Sequence, residues 1–89
     1  MGNFAFTEDA WVDYLYWQSQ DKKTLKKLNK LLDSINRNGM LEGEGKPERL
    51  KGEFWGCYSR RIDEKNRLIY RETEKGIEIL KCRGHYQDK

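Results

Sequence analysis

The residues of this chain whose types could do chemistry are few. A glutamate follows a Gly/Pro-bounded loop (Glu48), a lysine comes soon after it (Lys51), arginines stand at Arg60, Arg61 and Arg67, and His85-Tyr86 lie near the C-terminus. These types suffice for RNA cleavage by internal transesterification, in which a ribose 2′-oxygen attacks the neighbouring phosphorus and the 5′-oxygen leaves. A carboxylate with an ordinary pKa of about 4.3 is ionised at neutral pH and can take the 2′ proton; an imidazole titrating at about 6.5 can give one to the leaving oxygen. Arginine stays charged and offers a planar fork to the more negative transition state. The reaction requires neither metal nor cofactor. Plainer readings stand beside this one: Glu48 as a loop carboxylate, Arg60 or Arg67 as cross-strand partners of Glu72 or Glu78, His85 as an idle surface residue.

Other chemistries lose support. The chain has no phosphate-binding glycine loop, nucleophile elbow or paired-histidine metal motif. Cys57 and Cys82 are too few for a disulfide framework, and with a single histidine they make no zinc site, so both read as buried free thiols. No apolar run is long enough to span a membrane, and the first ten residues lack the pattern of a signal peptide, which leads to an expected cytoplasmic location.

The elements that must position these residues belong to one expected domain over residues 1–89, with a thin core. Its 37% charged residues make it polar, but three Trp, five Tyr and three Phe argue for a fold whose core is built from aromatics, Trp11, Trp17 and Trp55 included. A net charge of +3, from 18 basic and 15 acidic residues, suits a polyanion partner without requiring one.

Asn3 to Phe6 can form an edge strand. Thr7-Glu8-Asp9 is a helix start, and Trp11, Tyr14, Leu15 and Gln18 mark the expected buried face up to about Gln20. Asp21 caps a second predicted helix with an apolar stripe of Leu25, Leu28, Leu32 and Ile35, widened by Leu31 and stopped by Asn38-Gly39. Its other face carries Lys22, Lys23, Lys26, Lys27 and Lys30, either a solvated surface or a grip for phosphates. Strands are predicted at about Trp55 to Ile62, Arg67 to Glu72 and Ile77 to Cys82, joined by antiparallel hairpins. Alternation puts Leu68 and Tyr70 toward the helices and Arg67, Ile69 and Arg71 on the opposite face.

Taken in order, WVDYLYWQSQDKK, EGEGKPERLK, YSRRI, NRLIY and CRGHY resemble the YoeB branch of the RelE/ParE toxin superfamily, from Phe4 to Tyr86. The resemblance implies an α+β, RelE-like fold: two N-terminal helices packed on a twisted antiparallel sheet. It also implies a toxin that enters the ribosomal A site and cleaves messenger RNA there, silenced by a cognate, YefM-like antitoxin, with a homodimer compatible with the pattern.

By matching motif positions, Glu48 resembles the general base, Arg67 the phosphate-stabilising group and His85 the general acid, with Tyr86 stacking on or orienting the substrate. Lys51 and Arg61 resemble supporting cations, and the lysine face of the second helix a contact to ribosomal RNA. The chain departs from the pattern at Asn66, commonly histidine, at Cys57, commonly aromatic, and at Gly84, often tyrosine. Gln87-Asp88-Lys89 follow the tyrosine at which family chains tend to end. Two rival readings are a non-catalytic ribosome-binding inhibitor and a gyrase poison like the ParE branch; Glu48, Arg67 and His85 together argue against the latter.

Overall fold

Residues 3–85 are described by a computed structural model. Elements follow in the order β1 (Phe4–Phe6), α1 (Glu8–Gln20), α2 (Lys22–Asn38), β2 (Glu48–Arg49), a 3-10 turn (Gly52–Phe54), β3 (Tyr58–Arg61), β4 (Arg67–Thr73) and β5 (Gly76–Lys81). The strands form a single sheet in the order β1-β5-β4-β3-β2. The expected architecture of two N-terminal helices on a sheet is therefore present. The sheet is mixed, because β1 pairs parallel to β5 (Phe4 with Ile77, Phe6 with Ile79) while the other pairs are antiparallel. A helical pair between β1 and the later strands supplies the long crossover that a parallel neighbour needs.

Both helix starts come from local chemistry. Thr7 Oγ1 accepts the Ala10 N–H at 3.1 Å and donates to the Leu80 carbonyl at 3.0 Å, so one hydroxyl caps α1 and ties it to β5. Asp21 closes α1, its N–H donating to the Trp17 carbonyl, and opens α2, its carboxylate accepting the Thr24 N–H at 3.1 Å and hydroxyl at 2.8 Å. Those Thr24 bonds hold the Asp21 carboxyl below its ordinary pKa. Gly39 ends α2 with φ at 93°.

Helix α2 buries Leu28, Leu31 and Ile35 as its stripe predicts. Helix α1 sits rotated from the expected face. Ala10 and Trp17 are buried and Tyr14 is half-buried, while Trp11 is 48% exposed and Leu15 lies outside with Val12 and Tyr16. Ala10, with no bulk, lets the helix lie close on the sheet, and the Trp17 indole N–H reaches the Cys82 carbonyl at 2.8 Å. Hydrophobicity alone could not choose the face, since α1 is apolar on several sides. Trp55 is likewise no core residue: it is 82% exposed, and β3 begins at Tyr58 rather than Trp55.

The core holds an unexpected member. Arg60 is fully buried between the sheet and α2. Its Nε donates to the Tyr70 hydroxyl at 2.8 Å, Nη1 to Ser34 Oγ at 3.0 Å and the Glu44 carbonyl at 2.9 Å, and Nη2 to the Gly39 and Glu42 carbonyls, each at 2.7 Å. Every guanidinium N–H is thereby used. The cation also faces the C-terminal end of α2, where the helix dipole is negative. The cross-strand pairing considered for Arg60 does not occur; Arg71 is the residue that meets Glu78, at 2.7 Å on the surface.

Around the guanidinium the loop from Gly39 to Gly45 folds tightly. A Cβ at Gly43, where φ is 105°, would collide with Ser34 Oγ, so only glycine lets the loop approach. The Tyr70 hydroxyl donates onward to the Met40 carbonyl at 2.6 Å, and the Arg61 N–H holds Gly45 at 2.6 Å.

Removing Arg60 strands three loop carbonyls in the core, each costing about 1–3 kcal/mol. Arg60→Met is therefore expected to destabilise the protein by more than about 3 kcal/mol in urea denaturation, and Arg60→Lys to rescue little of that. Arg71→Ala, which breaks a surface pair, is expected to cost under about 1 kcal/mol.

Candidate active site

The sheet register decides which candidates meet. In paired strands, directly opposed residues point to the same face. Glu48 opposes Ser59, Ser59 opposes Ile69, and Arg61, two residues past Ser59, opposes Arg67. Leu68 and Tyr70 pack into the helix-side core, so Ile69 and its companions face away from the helices. Glu48, Arg61 and Arg67 thus share the outer face, with the Glu48 and Arg67 backbones roughly 12 Å apart by strand spacing. Long side chains from those positions can converge on one phosphodiester.

A second, smaller apolar cluster supports this outer face. Leu50, Cys57 and Ile69 are buried together, with Phe54 and Leu80 against them. The segment from Lys51 to Cys57 folds over that cluster, and the Leu50 N–H to Cys57 carbonyl bond, at 3.0 Å, closes its base. Lys51 caps the 3-10 turn beside it and is exposed, as is Glu48.

Arg67 is half-buried. Its Nη1 donates to the carbonyls of Asp63 at 2.6 Å, Asn66 at 3.2 Å and Glu64 at 3.3 Å, so the guanidinium rests on the turn joining β3 to β4. It is not the cross-strand partner of Glu72 or Glu78 either, since β4 pairs those positions elsewhere. A bound phosphate would have to compete with neutral carbonyls, which it can do as the stronger, charged acceptor.

His85 lies beyond β5, yet the tail leading to it is held residue by residue. Cys82 donates its N–H to Asp13 Oδ2 at 3.0 Å and its thiol to the Ala10 carbonyl at 3.5 Å, and its carbonyl takes the Trp17 indole. The Arg83 guanidinium sits 3.6 Å above the Tyr16 ring. The Gly84 carbonyl accepts the Arg67 N–H at 3.0 Å, and the Gly84 N–H donates to Asn66 Oδ1 at 2.7 Å. These bonds bring exposed His85 to the Arg67 end of the outer face. Tyr86, like Gln87-Asp88-Lys89, lies outside the described residues.

The lysine face of α2 is exposed throughout, but only part of it adjoins the sheet cations. Lys27 borders a groove of about 430 Å³ together with Lys46 and Arg61, and Lys23 joins Lys27 in the neighbouring groove beside Asp63. Lys22 and Lys26 flank a separate shallow groove with Lys23, and Lys30 lies near Asp33 and Arg37.

Sequence reasoning missed three residues. Arg60 was grouped with the reactive cations, although alternation through Ser59-Arg60-Arg61 requires one of the two arginines to point inward. Asp13, which is no part of the apolar face expected for α1, holds the Cys82 amide. Asn66 stood out only as a departure from the family pattern.

Two helices on one side of a five-stranded sheet, with Glu48, Arg61 and Arg67 on the open side, define a small RelE-like α+β toxin fold. The family model for the YoeB-like toxin of bacterial type II toxin–antitoxin systems matches residues 6–86. Toxin YoeB of Escherichia coli K12 is 47% identical over 81 residues, which cover 91% of this chain and 95% of the relative. Among solved structures, a YoeB–YefM complex from Staphylococcus aureus contains a chain with a TM-score of 0.89 and 49% identity, covering 97% of this chain and 99% of that one. A YoeB dimer from the same organism gives 0.88 and 51%, covering 94% and 97%. The chain belongs to the YoeB-like toxin family.

Both cysteines are buried and free, as expected. Burial pushes the Cys57 thiol up, and pushes that of Cys82 up to about 12 with help from the Asp13 charge. Neither is expected to react with a thiol reagent at neutral pH until the protein unfolds. The unfolded Cys82 thiol ionises at about 9.0 and the folded one only at about 12, so its contribution to stability is whole below the first value and lost as pH rises toward the second. Denaturation midpoints measured across that alkaline window are expected to fall.

Proposed function

We propose that this toxin is a ribosome-dependent messenger-RNA endonuclease that cuts in the A site by metal-independent 2′-hydroxyl attack. Glu48 takes the 2′ proton, the 2′-oxygen bonds to phosphorus, and the bond to the 5′-oxygen breaks as His85 protonates it. The products are a 2′,3′-cyclic phosphate and a 5′-hydroxyl. Arg67, drawn off its turn carbonyls, neutralises the phosphorane, Lys51 and Arg61 hold the backbone on either side, and Tyr86 stacks on a base.

The observation that carries this reading is the shared outer face of Glu48, Arg61 and Arg67, with the Gly84-His85 tail bonded to Arg67. The openness of that face supports ribosome dependence. Glu48, Lys51, Arg61 and His85 are all exposed on an open surface. Orientation supplies roughly 7–11 kcal/mol of many catalysed reactions, and an open face cannot provide it alone. A second body that already grips the message does so, with the α2 lysines on its RNA phosphates. Such a site implies a cytoplasmic setting; no helix among the described residues is long and apolar enough to cross a membrane.

The cationic outer face also suits an acidic segment that folds on binding, and a YefM-like antitoxin is the proposed silencing partner. Pairing with a second copy would cover Trp11, Val12, Leu15 and Tyr16 on the outer side of α1.

Message ends mapped by primer extension in a purified translation reaction test the proposal. Cuts inside the A-site codon are expected only with ribosomes present. Glu48→Gln and His85→Gln are each expected to slow cutting by about 100-fold or more with an unchanged Tm. Ribosomes stalled on intact messages would instead favour a non-catalytic inhibitor.

A further inference from the structure

The proposed chemistry gives Asn66 no part, yet this half-buried side chain joins the two elements that bear Arg67 and His85. Its Nδ2 lies 3.1 Å from each oxygen of the Asp63 carboxylate, and its Oδ1 accepts the Gly84 N–H at 2.7 Å. That arrangement fixes which way the amide points: a carboxylate can only accept and a peptide N–H can only donate, so the NH2 must face Asp63 and the oxygen Gly84.

Asp63 is itself immobilised. It accepts the backbone N–H groups of Lys65 at 2.8 Å and Asn66 at 2.7 Å. Partial burial works to raise its pKa, but these bonds, the Asn66 amide and the Arg67 charge outweigh it and hold the carboxyl below its ordinary value. The acceptor is therefore charged under working conditions, and the Asn66 amide has a fixed anchor.

The need for a latch lies at the other end. Gly84 precedes His85 with φ at 89° and nothing within 4 Å of where a side chain would be, so no side-chain contact could anchor it there. Glycine also has the widest backbone freedom of any residue. Strand β5 has already ended at Lys81. The bonds that close on Gly84 are the Arg67 N–H on one side of it and the Asn66 amide on the other. The carbonyls of the same turn hold the Arg67 guanidinium, so one four-residue turn places both groups.

We infer that Asn66 is a positioning residue, which latches Gly84 to the Asp63 turn and thereby sets His85 against Arg67. The inference rests on the reading of His85 as the proton donor. Removing the latch leaves the message-binding cations untouched, so it acts on the chemical step and not on ribosome binding.

The test compares wild type, Asn66→Ala and Asn66→Asp by amide hydrogen exchange and by single-turnover cleavage on programmed ribosomes. In Asn66→Ala the Gly84 amide is expected to exchange at least about 10-fold faster, while Leu68 and Ile79 keep their protection. Its cleavage rate at saturating ribosomes should fall by about 10-fold, with the half-saturating ribosome concentration unchanged. Asn66→Asp puts a carboxylate oxygen where the Nδ2 donor lay 3.1 Å from each oxygen of the charged Asp63 carboxylate, so like-charge repulsion should release the Gly84 amide at least as fully as Asn66→Ala does.

Wild-type exchange at Gly84 in Asn66→Ala would overturn the latch, and faster exchange with an unaltered cleavage rate would overturn the positioning role. A rate loss accompanied by lost protection at Leu68 and Ile79 would make Asn66 merely structural and overturn it too. If the wild-type protein failed to cleave at all, the nuclease reading itself would fall, whatever the Gly84 exchange.

Discussion

The buried guanidinium of Arg60 is the interaction on which the rest of this small protein depends. A core of this size has little apolar area with which to hold a long loop, and the stretch between α2 and β2 has few large side chains of its own. Arg60 replaces that missing packing with directed bonds to Gly39, Glu42, Glu44, Ser34 and Tyr70. Burying a cation is costly unless its donors are met, and here they are met by carbonyls that would otherwise be orphaned themselves. The two needs cancel. Where the loop leaves this centre it delivers Lys46, Pro47 and then Glu48 to the sheet edge, so the proposed base stands where it does because an arginine two strand positions from the Tyr58 end is locked inside.

The opposite end of the proposed site is organised by different means. The described residues after β5, Cys82 to His85, are tethered by individual hydrogen bonds from α1 and from the turn between β3 and β4. Helix α1 gives Asp13, Trp17 and the Ala10 carbonyl to Cys82, and the turn gives Asn66 to Gly84. Bonds of this kind are individually modest and open locally at little cost. A rigid end bearing Glu48 and a more easily opened end bearing His85 suit the proposed roles of that surface, admitting a message and being covered by a silencing partner.

The two faces of α1 show how thin the margin of burial is. The helix spends Ala10 and Trp17 on the core and leaves Trp11, Val12, Leu15 and Tyr16 outward. The sheet has only one helical layer, so the outer face must be covered by local loops, and the Leu50–Cys57–Ile69 cluster under the 51–57 segment is what one hairpin can achieve. The remainder of that face stays open and cationic, which is where the proposed chemistry lies.

Much of this was legible in the residues alone. Caps at Thr7 and Asp21, the stop at Gly39 and the turns between the later strands depend on neighbours within a few positions, and all stand where local rules put them. The α2 stripe and the alternation of Leu68, Ile69 and Tyr70 were equally plain, because a period needs no knowledge of the partner surface. The motif order carried the family and named Glu48, Arg67 and His85. Which side of α1 is buried, which of two adjacent arginines is structural, and that β1 runs parallel to β5 were settled only by tertiary structure. Each depends on a bond to a residue distant in the chain: Trp17 and Asp13 to Cys82, Arg60 to the Gly39–Glu44 loop, Phe4 to Ile77. Short-range pattern determines what an element is, and long-range hydrogen bonding between polar groups that cannot be left unpaired decides how it is turned.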